Sequence, residues 1–182
     1  MKSNEIVRFV CFETSVSLST EQFIAHWKQY TRSNHSDDNV ILQRSENNGL
    51  FKYISQHRVS SGESDFVFEK ARRSSRVPEL EIKSKQAGGY SVLQMQREDD
   101  AHKGESKIIA FLSHPPEVAD IHNHFSSHCK LNIYEAYYEN CKYAYIMEFF
   151  VRDKYVPELL EQLKILKVDD IGVYKEFAMQ ES

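Results

Sequence analysis

The sequence predicts an α+β chain built as two halves that share one order of elements, β-α-β-β-α-β. Short runs rich in aromatic and β-branched residues alternate with stretches whose apolar residues recur at helical spacing. Turn chemistry separates paired runs at Glu46–Asn47–Asn48–Gly49 and at Glu139–Asn140–Cys141. The order that begins at Ile6 begins again at Lys107.

In the first half, Ile6 to Phe12 reads as a strand. Ser19 or Thr20 caps a helix whose Phe23, Ile24, Trp27 and Tyr30 form an apolar stripe. Val40 to Arg44 and Leu50 to His57 make a hairpin, and Phe66 to Phe68 a further short strand. A basic stretch runs through Pro78 into a weak helix or extended arm that ends at Gly88–Gly89. Tyr90 to Gln96 supplies the closing strand.

The second half opens with the apolar run Lys107 to Leu112. Pro115 and Pro116 then start a helix, where the first N–H groups lack partners in any case. On it Val118, Ile121, His122 and Phe125 share a face. Leu131 to Tyr138 and Tyr143 to Val151 follow as aromatic-rich strands. Val156, Leu159, Leu160, Leu163 and Leu166 then mark an amphipathic helix, with Asp153 as its N-cap and Lys164 and Lys167 near its C-terminal dipole. Ile171 to Phe177 is the last strand. Residues 1–97 thus form the first half, 98–106 a polar linker and 107–182 the second half. The first helices also register, Glu21 over Glu117 and His26 over His122.

Each half is a ferredoxin-like unit, with one sheet face covered by helices and the other bare. The strand after Lys142 carries Tyr143, Tyr145, Met147 and Phe149 on one face and Ala144, Ile146 and Phe150 on the other. Both faces are apolar, so both call for cover. The predicted architecture is therefore two tandem ferredoxin-like halves packed sheet to sheet as an α+β barrel.

Composition narrows the function. With 41% hydrophobic and 27% charged residues the chain is not disordered as a whole. A net charge of −4 gives no general attraction to nucleic-acid backbones or anionic lipid. Residues 1–106 carry 15 basic and 15 acidic side chains and residues 107–182 carry 8 and 12, which makes the first half the better host for an anionic group. Cys11, Cys129 and Cys141 form no CxxC pair, as expected of reduced thiols in a cytoplasmic protein. No apolar run reaches the ~18 residues of a membrane span. Gly104–Glu105–Ser106–Lys107 lacks the glycine spacing of a P-loop, and neither GxGxxG nor a nucleophile elbow is present.

Two such halves packed by their sheets resemble the dimeric α+β barrel superfamily, here as a fused pseudo-dimer, a monomer or homodimer of the whole chain. The first helix, Leu18-Ser19-Thr20-Glu21-Gln22-Phe23-Ile24-Ala25-His26-Trp27, resembles that of the EthD and antibiotic-biosynthesis-monooxygenase groups, whose first helix often starts with a similar Ser-x-Glu-x-Phe run and carries a tryptophan. Where EthD-like proteins tend to have a histidine one turn after the tryptophan, this chain has Thr31, with His35 further on. The resemblance implies a pocket for a small hydrophobic or aromatic molecule, transformed in some relatives by oxidation without metal or flavin, or by isomerisation. It implies no cofactor, with haem as the alternative from a distant branch.

Several residues are candidates for such chemistry. His26 stands at the edge of the apolar stripe, where it reads either as a general base reaching a pocket or as a rim residue; Trp27 beside it reads as core or as ligand contact. Tyr53 or His57 would orient the substrate, while Arg58 or Arg73 would hold an anionic group. Lys70, Arg72, Arg73 and Arg76 read equally as a solvated surface. His114, His122, His124, His128 and Cys129 invite a metal reading, but His122 and His124 point to different faces and no carboxylate has a suitable spacing, so no metal is assigned.

Two other classes stay open. Lys142-Tyr143-Ala144-Tyr145-Ile146-Met147-Glu148-Phe149 resembles the aromatic signature strand of RNA-recognition motifs, but without the glycine after the lysine and in an acidic half. A non-catalytic structural or interaction protein is the other, its barrel filled by side chains.

Overall fold

The computed structural model describes residues 5–15, 18–32, 39–45, 49–60, 62, 82–94, 105–116, 125 and 128–177. The expected strand at Phe66–Phe68, the basic stretch with Arg73, and Val118, Ile121, His122 and His124 lie outside these residues.

Eight strands close into one antiparallel barrel: β1 (Glu5–Thr14), β2 (Asn39–Arg44), β3 (Tyr53–Ser60), β4 (Ile82–Gln94), β5 (Ser106–Leu112), β6 (Cys129–Ala136), β7 (Tyr145–Val151) and β8 (Asp170–Glu176). Around the barrel they run β1-β3-β2-β8-β5-β7-β6-β4. Each set of four thus holds the order fourth, first, third, second. The sets join edge to edge through β2–β8 and β4–β6, which leaves no open sheet edge.

β4 departs from the sequence reading. It begins at Ile82, and the expected arm is a strand that runs straight through Gly88 and Gly89 to pair with β1. The glycines serve packing there. A Cβ on Gly88 would lie 2.7 Å from Tyr90 Cε2, and one on Gly172 of β8 would lie 2.6 Å from Tyr174 Cε2. Each tyrosine ring lies over its glycine, and its hydroxyl crosses to the other set of strands. Tyr90 donates to the Tyr143 carbonyl at 3.1 Å and Tyr174 to the Phe51 carbonyl at 2.9 Å.

The two sets also share a register. Phe9 pairs with Gln56 and Gly88, as Ile109 pairs with Glu148 and Gly172. Val40 pairs with Gln56 as Asn132 pairs with Glu148, and Leu42 with Glu176 as Tyr134 with Val92. A two-fold exchange of the sets therefore carries Val7 onto Lys107, Gln56 onto Glu148, Val40 onto Asn132, Leu42 onto Tyr134 and Val92 onto Glu176.

Alternation along the strands sorts side chains between the interior and the outer wall. Inside, Val7, Phe9, Cys11, Ile54, Tyr90, Ile109, Phe111, Tyr134, Ile146 and Tyr174 form one buried cluster with Phe51 and Tyr143. Outside, helix α1 (Thr20–Arg32) lays Phe23, Ile24 and Trp27 on Ile41 and Tyr53. Ser19 caps it, its hydroxyl accepting from the Gln22 amide while the Gln22 side chain accepts from the Ser19 amide. Helix α2 (Val156–Leu163) lays Val156, Leu159 and Leu163 on Met147, Phe149 and Val151, and Phe125 joins them.

α2 is shorter than its apolar spacing predicts. It follows a 3-10 turn at Asp153–Tyr155 and stops before Leu166 and Lys167. Asp153 does not cap it; its carboxylate takes Ser106 Oγ at 2.7 Å and Lys175 Nζ at 2.8 Å. Those two bonds hold its pKa below the usual carboxylate value, the lysine first.

Both faces of β7 are covered, as the sequence predicts, and its aromatic residues present no platform open to bases. No helix among the described residues is long and apolar enough to cross a membrane.

Candidate functional site

The barrel interior is apolar along most of its length and polar at one end, where β5 begins and β7 and β8 finish. Glu148 of β7 is the centre of the polar layer and is 1% exposed. Its neighbours Ile146 and Phe150 point the same way, so the strand alternation fixes its side chain inward. Gln56 Nε2 from β3 donates to Oε1 at 2.9 Å. The Tyr134 hydroxyl donates to Oε2 at 2.7 Å and Asn132 Nδ2 to the same oxygen at 3.3 Å, both from β6. Lys107 Nζ of β5 stands 3.7 Å from Oε1 and 3.7 Å from Glu176 Oε2 of β8, with its ammonium 4.9 Å from the centre of the Phe150 ring.

This carboxylate is thus bonded by residues of both sets of strands. Burial, the adjoining carboxylate charge and the bond to it raise the pKa of the Tyr134 phenol well above the ordinary value, which keeps the hydroxyl protonated as a donor. Arg58 stands at the rim. Burial pulls its pKa down, but its 3.0 Å bond to Glu5 and the charges of Glu5 and Glu148 outweigh this and raise it. A buried ion cluster of this kind costs several kcal/mol per charge in desolvation and is poor evidence of a stabilising device. Its place inside the barrel makes it the candidate site.

The two-fold exchange supplies an internal comparison. Val7, Val40, Leu42 and Val92 fill the places that Lys107, Asn132, Tyr134 and Glu176 fill in the other set. The barrel accommodates aliphatic side chains at all four, so its geometry does not require the polar ones.

The residues marked by the sequence fall elsewhere. Tyr53 is fully buried between α1 and the barrel wall, its ring 3.9 Å from Phe23 and nearly parallel, its hydroxyl 2.9 Å from Thr20 Oγ1. Trp27 is in the same layer and donates from Nε1 to Ser55 Oγ at 3.4 Å. His57 alternates with Tyr53 and Ser55 and so lies on the outer face, and His26 is half-buried on α1. Of the predicted residues that the structure describes, only Arg58 faces the polar end.

Glu148 is the residue that sequence reasoning missed. Its signal was a lone charge within the apolar run Tyr145-Ile146-Met147-Glu148-Phe149-Phe150, with Lys107 and Asn132 similarly placed in apolar strands. Only the pairing register brings the three together.

Among the described residues the apolar end is closely filled. A cavity of about 10 Å³ lies among Phe9, Cys11, Gly88, Tyr90, Phe111 and Tyr143, and a similar one outside the barrel beside His128, Cys129 and Tyr155. Each is about the size of one water. His114 and His128 are exposed. The described residues therefore provide no histidine directed at the interior, and these cavities are far smaller than a haem. No cluster of three or more metal-ligating side chains occurs among the described residues.

No known family's sequence pattern matches the chain, and no curated protein matches it in sequence. Solved structures match it in shape. An anthrone oxidase-like protein superposes with a TM-score of 0.59 at 6% identity, over 97% of this chain and 92% of that one. Chlorite dismutase from Candidatus Nitrospira defluvii, in complex with imidazole, gives 0.55 at 10% identity, over 98% and 93%. A single-site mutant of the same chlorite dismutase gives 0.56 at 10% identity, over 98% and 93%. At such identities the likeness is one of fold, and the fold of this chain is an α+β barrel.

Proposed function

We propose that this chain is a small-molecule-binding α+β barrel, made of two tandem ferredoxin-like halves, whose single ligand site is the polar end around Glu148. The tandem reading, with halves 1–97 and 107–182 about the linker 98–106, is supported by the shared register and the reciprocal Tyr90 and Tyr174 bonds. The ligand is a small hydrophobic or aromatic molecule that rests end-on over the packed interior, and the EthD and antibiotic-biosynthesis-monooxygenase groups offer an analogy. Tyr134 and Glu148 form a donor–acceptor pair through which a proton passes if the ligand is transformed.

One observation carries this reading: a buried carboxylate cluster occupies positions whose counterparts are mostly aliphatic. The closely filled apolar end favours a second reading, a barrel without catalytic function. A thermal-melt screen of wild type and Glu148→Gln against aromatic ketones, quinones, aromatic acids and haem separates the two. Stabilisation of wild type by an aromatic compound, reduced in the variant relative to its own ligand-free melt, is the expected result. A panel that stabilises neither protein would favour the structural barrel.

A further inference from the structure

Resting on that reading, we infer that Lys107 selects the ligand, and that the ligand class is neutral compounds bearing an oxygen acceptor, such as aromatic ketones, in preference to carboxylates. The Lys107 side chain is 8% exposed, yet both of its carboxylate neighbours lie at 3.7 Å, beyond hydrogen-bond reach. Its ammonium otherwise meets the face of Phe150. Among the described residues this ammonium therefore has charge partners but no hydrogen-bond acceptor, and it is not one of the sealed polar atoms left without a partner, so its donors are met by solvent. A ligand oxygen placed beside Nζ takes the place of that water and accepts from a charged donor.

The surroundings decide the charge of that oxygen. Glu148 and Glu176 set two formal negative charges against one ammonium, so an incoming carboxylate meets a net negative site, whereas a carbonyl oxygen does not. Glu148 is buried and Glu176 is half-exposed, at 47% of its side chain. The ammonium between them thus lies at the inner limit of solvent access, and Glu176 marks the way in. Phe150 supplies an aromatic face beside it. Val7, the counterpart of Lys107, shows that the fold accepts an uncharged side chain at this position.

The test compares two probes of nearly equal shape, 2-acetonaphthone and 2-naphthoate, by calorimetric titration of the full chain. Wild type should bind the ketone more tightly than the carboxylate. Lys107→Met should weaken the ketone by about tenfold or more, the loss of one charged hydrogen bond, while Lys107→Arg retains part of the affinity. Glu176→Gln should strengthen 2-naphthoate by a larger factor than it changes the ketone. Thermal melts of each variant confirm folding. Tighter binding of the carboxylate by wild type, or equal ketone binding by Lys107→Met, overturns the role of Lys107 while keeping the site. If wild type binds neither probe and no other compound of the wider panel stabilises it, the inference and the binding reading fail together. If another class stabilises it, only the inference fails.

Discussion

Replacing Glu148 by Gln keeps the shape of the side chain and removes its charge. In the wild type one oxygen accepts from Tyr134 at 2.7 Å and the other from Gln56 at 2.9 Å. Bonds to a charged acceptor are worth about 1 kcal/mol more each than neutral ones, so these two contribute about 2 kcal/mol to the loss. The Gln56 amide can turn to accept from the new NH₂ group, but Lys107 cannot, and its ammonium then faces a donor. At 3.7 Å the gross attraction of the Lys107–Glu148 pair is about 4 kcal/mol at an effective dielectric of 20, most of it offset by desolvation. The expected total is a loss of about 3 kcal/mol in urea unfolding. Adding Lys107→Met removes the stranded charge, so the double variant should be less destabilised than the sum of the singles, with a coupling of about 1–3 kcal/mol. Urea is the denaturant because guanidinium salt screens the pair. Strict additivity, or a Glu148→Gln loss within about 0.5 kcal/mol, would refute the account of Glu148 as an acceptor shared by both sets of strands.

Three further predictions concern other parts of the molecule. Tyr90→Phe should cost about 1–3 kcal/mol by leaving the buried Tyr143 carbonyl without its donor, Tyr174→Phe should cost less because Arg44 also donates to the Phe51 carbonyl, and Gly172→Ala should cost about 1–3 kcal/mol by displacing the Tyr174 ring; denaturant midpoints with an unchanged slope check all three. His26→Ala should change stability by no more than about 0.5 kcal/mol if it is a rim residue, while a fall in turnover of about 10²–10⁴ without loss of fold would assign it the base role expected from the sequence. Burial raises the Cys129 thiol from 9.0 to about 11 and the Tyr143 phenol from 10.0 to about 12. Acids whose folded pKa is raised add stability that is complete below the unfolded value and lost as pH climbs through the folded one, so stability should decline from about pH 9 upward, and Cys129 should resist thiol reagents at neutral pH until the chain unfolds.

The strands were legible in the sequence because their apolar alternation is local. Ile6–Phe12, Lys107–Leu112 and Ile171–Phe177 fall within a residue or two of β1, β5 and β8. The first stretch of β4 was not legible: Ile82-Lys83-Ser84-Lys85-Gln86 is polar, and two glycines ordinarily signal a turn. Its pairing with β1 and the tyrosine ring over Gly88 override that local preference. The end of α2 was overestimated because Leu166 keeps the helical spacing but packs from the turn beyond it. Site residues were the least legible. His26, Tyr53 and His57 stood out by residue type, whereas Lys107, Asn132, Tyr134 and Glu148 come from three strands that meet only through long-range register.

The unequal halves of this barrel bear on what a covalent link between them permits. A barrel assembled from two identical chains repeats every side chain across its axis, so a lysine placed at the end of one sheet appears at the end of the other as well. Charges would come in pairs, and any ligand cradle would be duplicated or would straddle the axis. Here one set holds Val7 where the other holds Lys107, and Gln56 where the other holds Glu148. A single polypeptide can thus keep one set of strands largely as aliphatic scaffolding and let the other carry most of the polarity. That division of labour is closed to a symmetric pair, however well its sheets fit.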